Sequence, residues 1–127
     1  MESNGKKILI AEDEEVLGTL MKQKLEHDGF SVIWKQDGDE ALSAGLVEHP
    51  DLVLLDIVMP GMDGLSVLKK MRADDKWGKN VPVMVLSNLS EPHSVDEAMQ
   101  GGVYDFLVKA DWDIDAIVDK IKKHLAV

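Results

Sequence analysis

Apolar runs alternate along this chain with segments of helical period. Lys7–Ala11 is apolar after its first residue, which predicts a strand covered on both faces. Val16, Leu17, Leu20, Met21 and Leu25 follow at helical spacing, a single predicted stripe that ends near Gly29. Residues 31–34 predict a short second strand. Asp37 is a candidate N-cap for a helix marked by Ala41, Leu42 and Leu46. Leu52–Leu55 is apolar throughout and stops at Asp56, and Leu65, Leu68 and Met71 mark a third helix. Residues 81–86 predict the fourth strand. A shorter helix is expected over 90–100, capped by Ser90 and with Pro92 in its first turn. Residues 104–108 predict a fifth strand. Ile114, Ile117, Val118, Ile121 and Leu125 then give the most regular helical period in the chain, with lysines at its C-terminal end.

Five successive strand–helix units imply an α/β fold: one doubly wound domain, a parallel sheet with helices on both faces and right-handed crossovers. Periodicity leaves the strand order open. With the order 2-1-3-4-5, the switch point falls between strands 1 and 3, and a ligand is expected at their C-terminal ends. No repeat, low-complexity tract or linker interrupts the pattern, so residues 1–127 read as one domain with a polar lead-in over residues 1–6.

Composition narrows the function classes. With 127 residues the chain supports one core of moderate size, and 45% apolar and 30% charged residues suit a soluble globular protein. The absence of cysteine excludes disulfides, thiolate metal sites and a thiol nucleophile. A net charge of −10 argues against direct nucleic-acid binding. No apolar run reaches membrane-spanning length and the N-terminus is polar, so the expectation is a cytoplasmic protein without signal peptide or anchor.

The positions of the acids carry more information than their number. Glu12 and Asp13 follow the first strand, and Asp56 follows the third. If those strands are neighbours the three carboxylates converge, which is costly unless a proton or a cation intervenes. An oxygen-only cluster of this kind suits a hard divalent ion, and Mg²⁺ fits best because it keeps several waters and binds few carboxylates. Capping of the first helix is the alternative role for Glu12 and Asp13. Ser87 ends strand 4 and Lys109 ends strand 5, which adds a hydroxyl and an ammonium on the same sheet edge. Lys109 can also serve as a simple salt-bridge partner of Asp56. Together these residues have the makings of a phosphoryl site.

The segments 10–14 (Ile-Ala-Glu-Asp-Glu), 54–64 (Leu-Leu-Asp-Ile-Val-Met-Pro-Gly-Met-Asp-Gly), 85–87 (Val-Leu-Ser) and 106–109 (Phe-Leu-Val-Lys) resemble, in order, the signature segments of response-regulator receiver domains in two-component signalling. The 56–64 stretch is highly specific, and the resemblance covers essentially the whole chain. It implies the flavodoxin-like (βα)5 fold with sheet order 2-1-3-4-5. It also implies that Asp56 is a phosphoacceptor, attacking a phosphohistidine of a sensor histidine kinase or histidine phosphotransfer protein, or a small phosphodonor. Glu12, Asp13, Asp56 and the backbone carbonyl of Val58 would hold Mg²⁺. Lys109 would pair with the phosphoryl group, Ser87 would move to hydrogen-bond it, and Phe106 would rotate inward. The face made by the fourth helix, fifth strand (with Tyr104) and fifth helix would then change its protein partners, phosphorylation-dependent dimerisation included. Such a chain is a signalling phosphoacceptor, catalysing only its own phosphorylation and slow autodephosphorylation, with no nucleic-acid or membrane partner of its own.

Two positions depart from the family pattern. Ala110 stands where proline, often after a cis bond, usually follows the lysine, and a cis bond before alanine costs about 2.5–4 kcal/mol. Asn88 stands where a small residue usually follows the switch hydroxyl. Val58 and Leu89 are both apolar and are expected to hinder attacking water, giving a comparatively long-lived phosphoryl group. His27, His49, His93 and His124 show no metal-ligand spacing and read as surface residues. Trp34, Trp77 and Trp112 read as packing residues, and the seven methionines as core filler.

Other readings fit less well. A flavodoxin needs a hydroxyl- and glycine-rich loop after strand 1, where this chain has an acidic one. A haloacid-dehalogenase-like phosphatase needs an Asp-x-Asp after strand 1 and a cap insertion. A degenerate receiver that signals without phosphate would have lost one of the site residues, and none is missing; a phosphate-independent interaction receiver and a phosphorelay intermediate are the alternatives to the phosphoacceptor switch. The output is likewise open between a stand-alone receiver acting through a partner and the N-terminal part of a larger regulator.

Overall fold

The computed structural model describes residues 3–88 and 91–127. Five strands, β1 (Lys7–Ala11), β2 (Ser31–Lys35), β3 (Leu52–Leu55), β4 (Val83–Ser87) and β5 (Asp105–Val108), form one parallel sheet in the order β2-β1-β3-β4-β5. The helices are α1 (Glu15–His27), α2 (Gly38–Glu48), α3 (Gly64–Arg72), α4 (Pro92–Gln100) and α5 (Ile114–Leu125). The apolar strands alternate between two cores. Leu9, Val53, Leu55, Val83 and Val85 point toward α2, α3 and α4; Ile8, Ile10, Leu52, Leu54, Met84 and Leu86 point toward α1 and α5. This two-sided burial is why the strands read as continuous apolar runs rather than alternating ones.

The strand limits differ slightly from the sequence expectation. β2 runs on to Lys35, β4 starts at Val83 after Pro82, and β5 starts at Asp105. Asp37 does cap α2, accepting the Glu40 N–H at 2.8 Å. α4 begins at Pro92 with Glu91 as its N-cap residue; Ser90, the expected cap, and Leu89 lie outside the described residues.

The predicted stripe on α1 needs correction. Val16 and Leu20 are 74% and 45% exposed, and the positions that α1 buries are Gly18, Met21 and Leu25. The reason is close approach: a Cβ on Gly18 would collide with the Trp34 ring, so the helix settles with its glycine against the indole. α2 behaves alike. It buries Gly38, Ala41 and Gly45, the last against Trp77, and leaves Leu46 40% exposed. A glycine has no hydropathy signal, so counting apolar residues places these faces wrongly. Both indoles also spend their N–H inside the protein, Trp34 on the Glu12 carbonyl at 2.8 Å and Trp77 on the Pro50 carbonyl at 2.7 Å. Among the described residues no helix is long and apolar enough to cross a membrane.

Candidate functional site

The register of the sheet assembles the site. Ala11 is paired with Leu55, so the next residues, Glu12 and Asp56, leave the sheet side by side, and the Asp56 N–H donates to the Ala11 carbonyl at 3.0 Å. Ser87 is paired with Val108, so Lys109 emerges beside Ser87. Glu12, Asp56 and Ser87 are buried, with 3%, 4% and 1% exposure, whereas Asp13 is exposed. Carboxylate oxygens of Glu12, Asp13 and Asp56 lie within 4.8 Å of one another. Asp13, Glu14, Asp56, Val58, Ser87, Asn88 and Lys109 line an open cleft of about 300 Å³ above the strand ends.

Lys109 is the cation of this cluster. Its Nζ is 2.7 Å from Asp56 Oδ2, 2.8 Å from Glu12 Oε1 and 2.8 Å from Glu14 Oε2. Burial disfavours its charge, but the hydrogen bonds to Asp56, Glu12 and Glu14 outweigh that and hold the ammonium well above the usual lysine range. The other oxygen of Asp56, Oδ1, accepts the Val58 N–H at 3.2 Å. One cation among four carboxylates leaves the cleft strongly negative. Burial pushes Glu12 up to about 7, against the pull of Lys109 and the Glu14 N–H and assisted by the charge of Asp56.

The loop after β3 folds tightly against Asp56, which stays buried at the floor of the cleft. The Gly64 N–H donates to the Ile57 carbonyl at 2.7 Å, and a Cβ on Gly64 would strike the Asp56 carbonyl, so only glycine lets the start of α3 close against the acid. Asp63 caps α3 by accepting the Ser66 N–H at 3.0 Å. Val58 stands at the mouth of the cleft, 59% exposed.

Phe106 is half-buried on β5, packed against the core beneath α2, α3 and α4. Tyr104 precedes β5, at the end of the sheet opposite Lys109. Its ring stacks on His124 at 3.9 Å and its hydroxyl is buried without a hydrogen-bond partner among the described residues. The four histidines are all exposed; His49 stacks on Trp77 and His93 pairs with Glu97. The bond between Lys109 and Ala110 is trans, and residues Lys109–Asp111 form one 3-10 turn.

Two features of the cleft go beyond the sequence reading: the place of Glu14, and the contact made by Asn88, which the sequence marks only as a departure from the family pattern. Glu14 joins the carboxylates around Lys109; its place directly after Glu12-Asp13 was the available signal. Asn88 accepts the Ala110 N–H on Oδ1 at 3.1 Å, a contact between residues 22 apart that no local pattern announces.

Residues 8–122 match the family model of the response regulator receiver domain. The chain is 34% identical to sporulation initiation phosphotransferase F of Bacillus subtilis over 119 residues, 94% of this chain and 93% of that protein. It is 36% identical over 104 residues to the alkaline phosphatase synthesis transcriptional regulatory protein PhoP of the same organism, covering 82% of this chain but 42% of that regulator. Similar solved structures include the receiver domain of the Francisella response regulator 1452 (TM-score 0.81, 31% identity, 93% and 94% of the two chains). Another is the receiver domain of the Pseudomonas aeruginosa sensor histidine kinase PA1611, solved with a magnesium ion coordinated in its active-site cleft (TM-score 0.84, 25% identity, 97% and 99%). On its fold, its acidic cleft and these matches together, the chain belongs to the response regulator receiver domains of two-component signalling.

Proposed function

We propose that this protein is a cytoplasmic phosphorylation switch in which Asp56 takes a phosphoryl group from a phosphohistidine of a sensor histidine kinase or phosphotransfer protein, or from a small phosphodonor. The observation that carries the reading is the meeting of Glu12, Asp13 and Asp56 within 4.8 Å, with a single ammonium against them. The donor set fits Mg²⁺: all oxygen, small and carboxylate-rich. Glu12, Asp13, Asp56 and the Val58 carbonyl are the ligands assigned to it. When bound, Mg²⁺ supplies neutralisation of the phosphoryl oxygens and of the crowded carboxylates.

Asp56 acts as the nucleophile. A carboxylate oxygen attacks phosphorus, the phosphorus–nitrogen bond to the donor imidazole breaks, and an acyl phosphate forms on Asp56. The Val58 N–H holds Oδ1. Lys109, already 2.7 Å from Asp56, exchanges a carboxylate oxygen for a phosphoryl oxygen. Ser87 donates a hydrogen bond to the phosphoryl group, Phe106 fills the space this opens, and the α4–β5–α5 face changes its protein partner or pairs with a second copy. A new hydrogen bond to a charged group is worth about 1.5–3 kcal/mol, enough to shift a two-state ratio by roughly one to two orders of magnitude.

The test is intact mass after incubation with Mg²⁺ and acetyl phosphate. The native chain gains one phosphoryl group and Asp56→Asn gains none. Equal gain by both overturns the assignment of Asp56. The near full-length match to a protein named as a phosphotransferase favours a second reading, in which the phosphoryl group is passed on. Loss of the added mass on mixing with a histidine phosphotransfer domain, with gain by that domain, is its mark.

A further inference from the structure

The end of β4 and the turn that carries Lys109 are joined through one side chain. Asn88, next after Ser87, accepts the Ala110 N–H on its Oδ1 at 3.1 Å. Ala110 has an N–H to give, which a proline at that position would lack. Beyond Ala110, the Trp112 N–H closes the 3-10 turn on the Lys109 carbonyl at 3.4 Å. The Trp112 ring lies under Lys120 of α5, whose Nζ is 5.0 Å from the ring centroid and 2.8 Å from Asp105 Oδ2 at the start of β5. A continuous set of contacts thus runs from Ser87 through Asn88, the Lys109–Asp111 turn and Trp112 to α5.

We propose that Asn88 is a positioning residue that makes the end of β4 and the Lys109 turn move as one unit, so that displacement of Ser87 reaches Trp112 and α5. This rests on the phosphorylation reading above. Its physical content is a single acceptor. Chain connectivity ties Asn88 to Ser87, while Lys109 is anchored at its far end by three carboxylates. If the β4 end shifts toward a phosphoryl group, the Asn88 Oδ1 either draws the Ala110 amide with it or breaks the bond. The packing of Trp112 against Lys120 makes the first outcome visible at a distance from the phosphoryl group.

The experiment uses ¹⁵N NMR on the native chain, Asn88→Ala and Asn88→Asp, each with and without Mg²⁺ and beryllofluoride as an acyl-phosphate mimic, with phosphoryl uptake from acetyl phosphate followed separately by mass. Without the mimic, amide exchange at Ala110 is expected to be several-fold faster in Asn88→Ala than in the native chain, and native-like in Asn88→Asp, which keeps an acceptor. With the mimic, the Trp112 indole and Lys120 amide resonances shift in the native chain and in Asn88→Asp, and by less than half as much in Asn88→Ala. Equal Ala110 exchange in all three proteins, or a full Trp112 shift in Asn88→Ala, overturns the inference. A native chain that gains no phosphoryl mass fails the phosphorylation reading instead, and the Ala110 exchange comparison still decides whether Asn88 holds the turn.

Discussion

Lys109 Nζ lies 2.7 Å from Asp56 Oδ2, and from the same position it also reaches both Glu12 and Glu14. One ammonium therefore holds down three carboxylates, two of them buried. Replacing it by Met keeps most of the stem volume but removes the charge. In Lys109→Met the cost is expected to be about 3 kcal/mol, at the low end for a broken buried ion pair because Glu12 can take up a proton. Urea midpoints measured without Mg²⁺ give the loss; adding Mg²⁺ should recover part of it.

Glu12 supplies a pH signature. Its carboxyl is raised from 4.5 to about 7, so between those values the folded protein holds a proton that the unfolded chain has released. The associated stability is fully present below pH 4.5 and is lost as pH rises to about 7, a fall of about 3 kcal/mol. Asp74 works in the opposite sense. Hydrogen bonds from Gly78 and Trp77 hold it low, so its contribution is complete above 3.8 and does not overlap that window. Urea unfolding across this range without Mg²⁺ should show the fall in the native chain and a flat profile in Glu12→Gln. Above pH 7 the ionised Glu12 becomes available to Mg²⁺, so stabilisation by the ion should grow as pH rises through the same midpoint.

Gly64→Ala should injure stability and chemistry together. The new Cβ meets the Asp56 carbonyl and the Ile57 Cα, which are backbone and cannot swing aside. The start of α3 must move off the loop, at a cost of about 2–3 kcal/mol. Phosphoryl uptake from acetyl phosphate by the remaining folded protein should fall as well. Native-like uptake would mean that the loop yields without disturbing Asp56.

Arg72 offers a control far from the cleft. Its guanidinium donates to the carbonyls of Gly101 at 2.6 Å, Gly78 at 2.7 Å, Val81 at 2.7 Å and Gly102 at 3.2 Å, clamping the end of α3 to the turns before β4 and β5. Arg72→Ala should cost about 2–4 kcal/mol, and Arg72→Lys should recover less than half, since an ammonium cannot reproduce the fork. Phosphoryl uptake by folded Arg72→Ala should match the native rate.

Much of this molecule is legible along the chain. Runs such as Leu52–Leu55 must be covered on both faces, and their alternation with helical stripes leaves few architectures. The acids at 12, 13 and 56, the hydroxyl at 87 and the lysine at 109 stand out because polar groups that end apolar strands have a reason to be there. Hydropathy spacing specifies the helix faces less well. Val16 and Leu20 are apolar yet exposed, while Gly18 and Gly45, invisible to any hydropathy count, make the closest contacts, each with an indole.

The sequence by itself determined the element types, the two-sided burial of the strands and the set of groups able to do chemistry, because each depends on side-chain polarity and spacing within about a dozen residues. Only the tertiary structure decided that Glu12 and Lys109, 97 positions apart, share a hydrogen bond, that Glu14 joins them, and that Asn88 reaches Ala110. Those contacts follow from strand order and register, set by how the two cores pack rather than by any local stretch of chain.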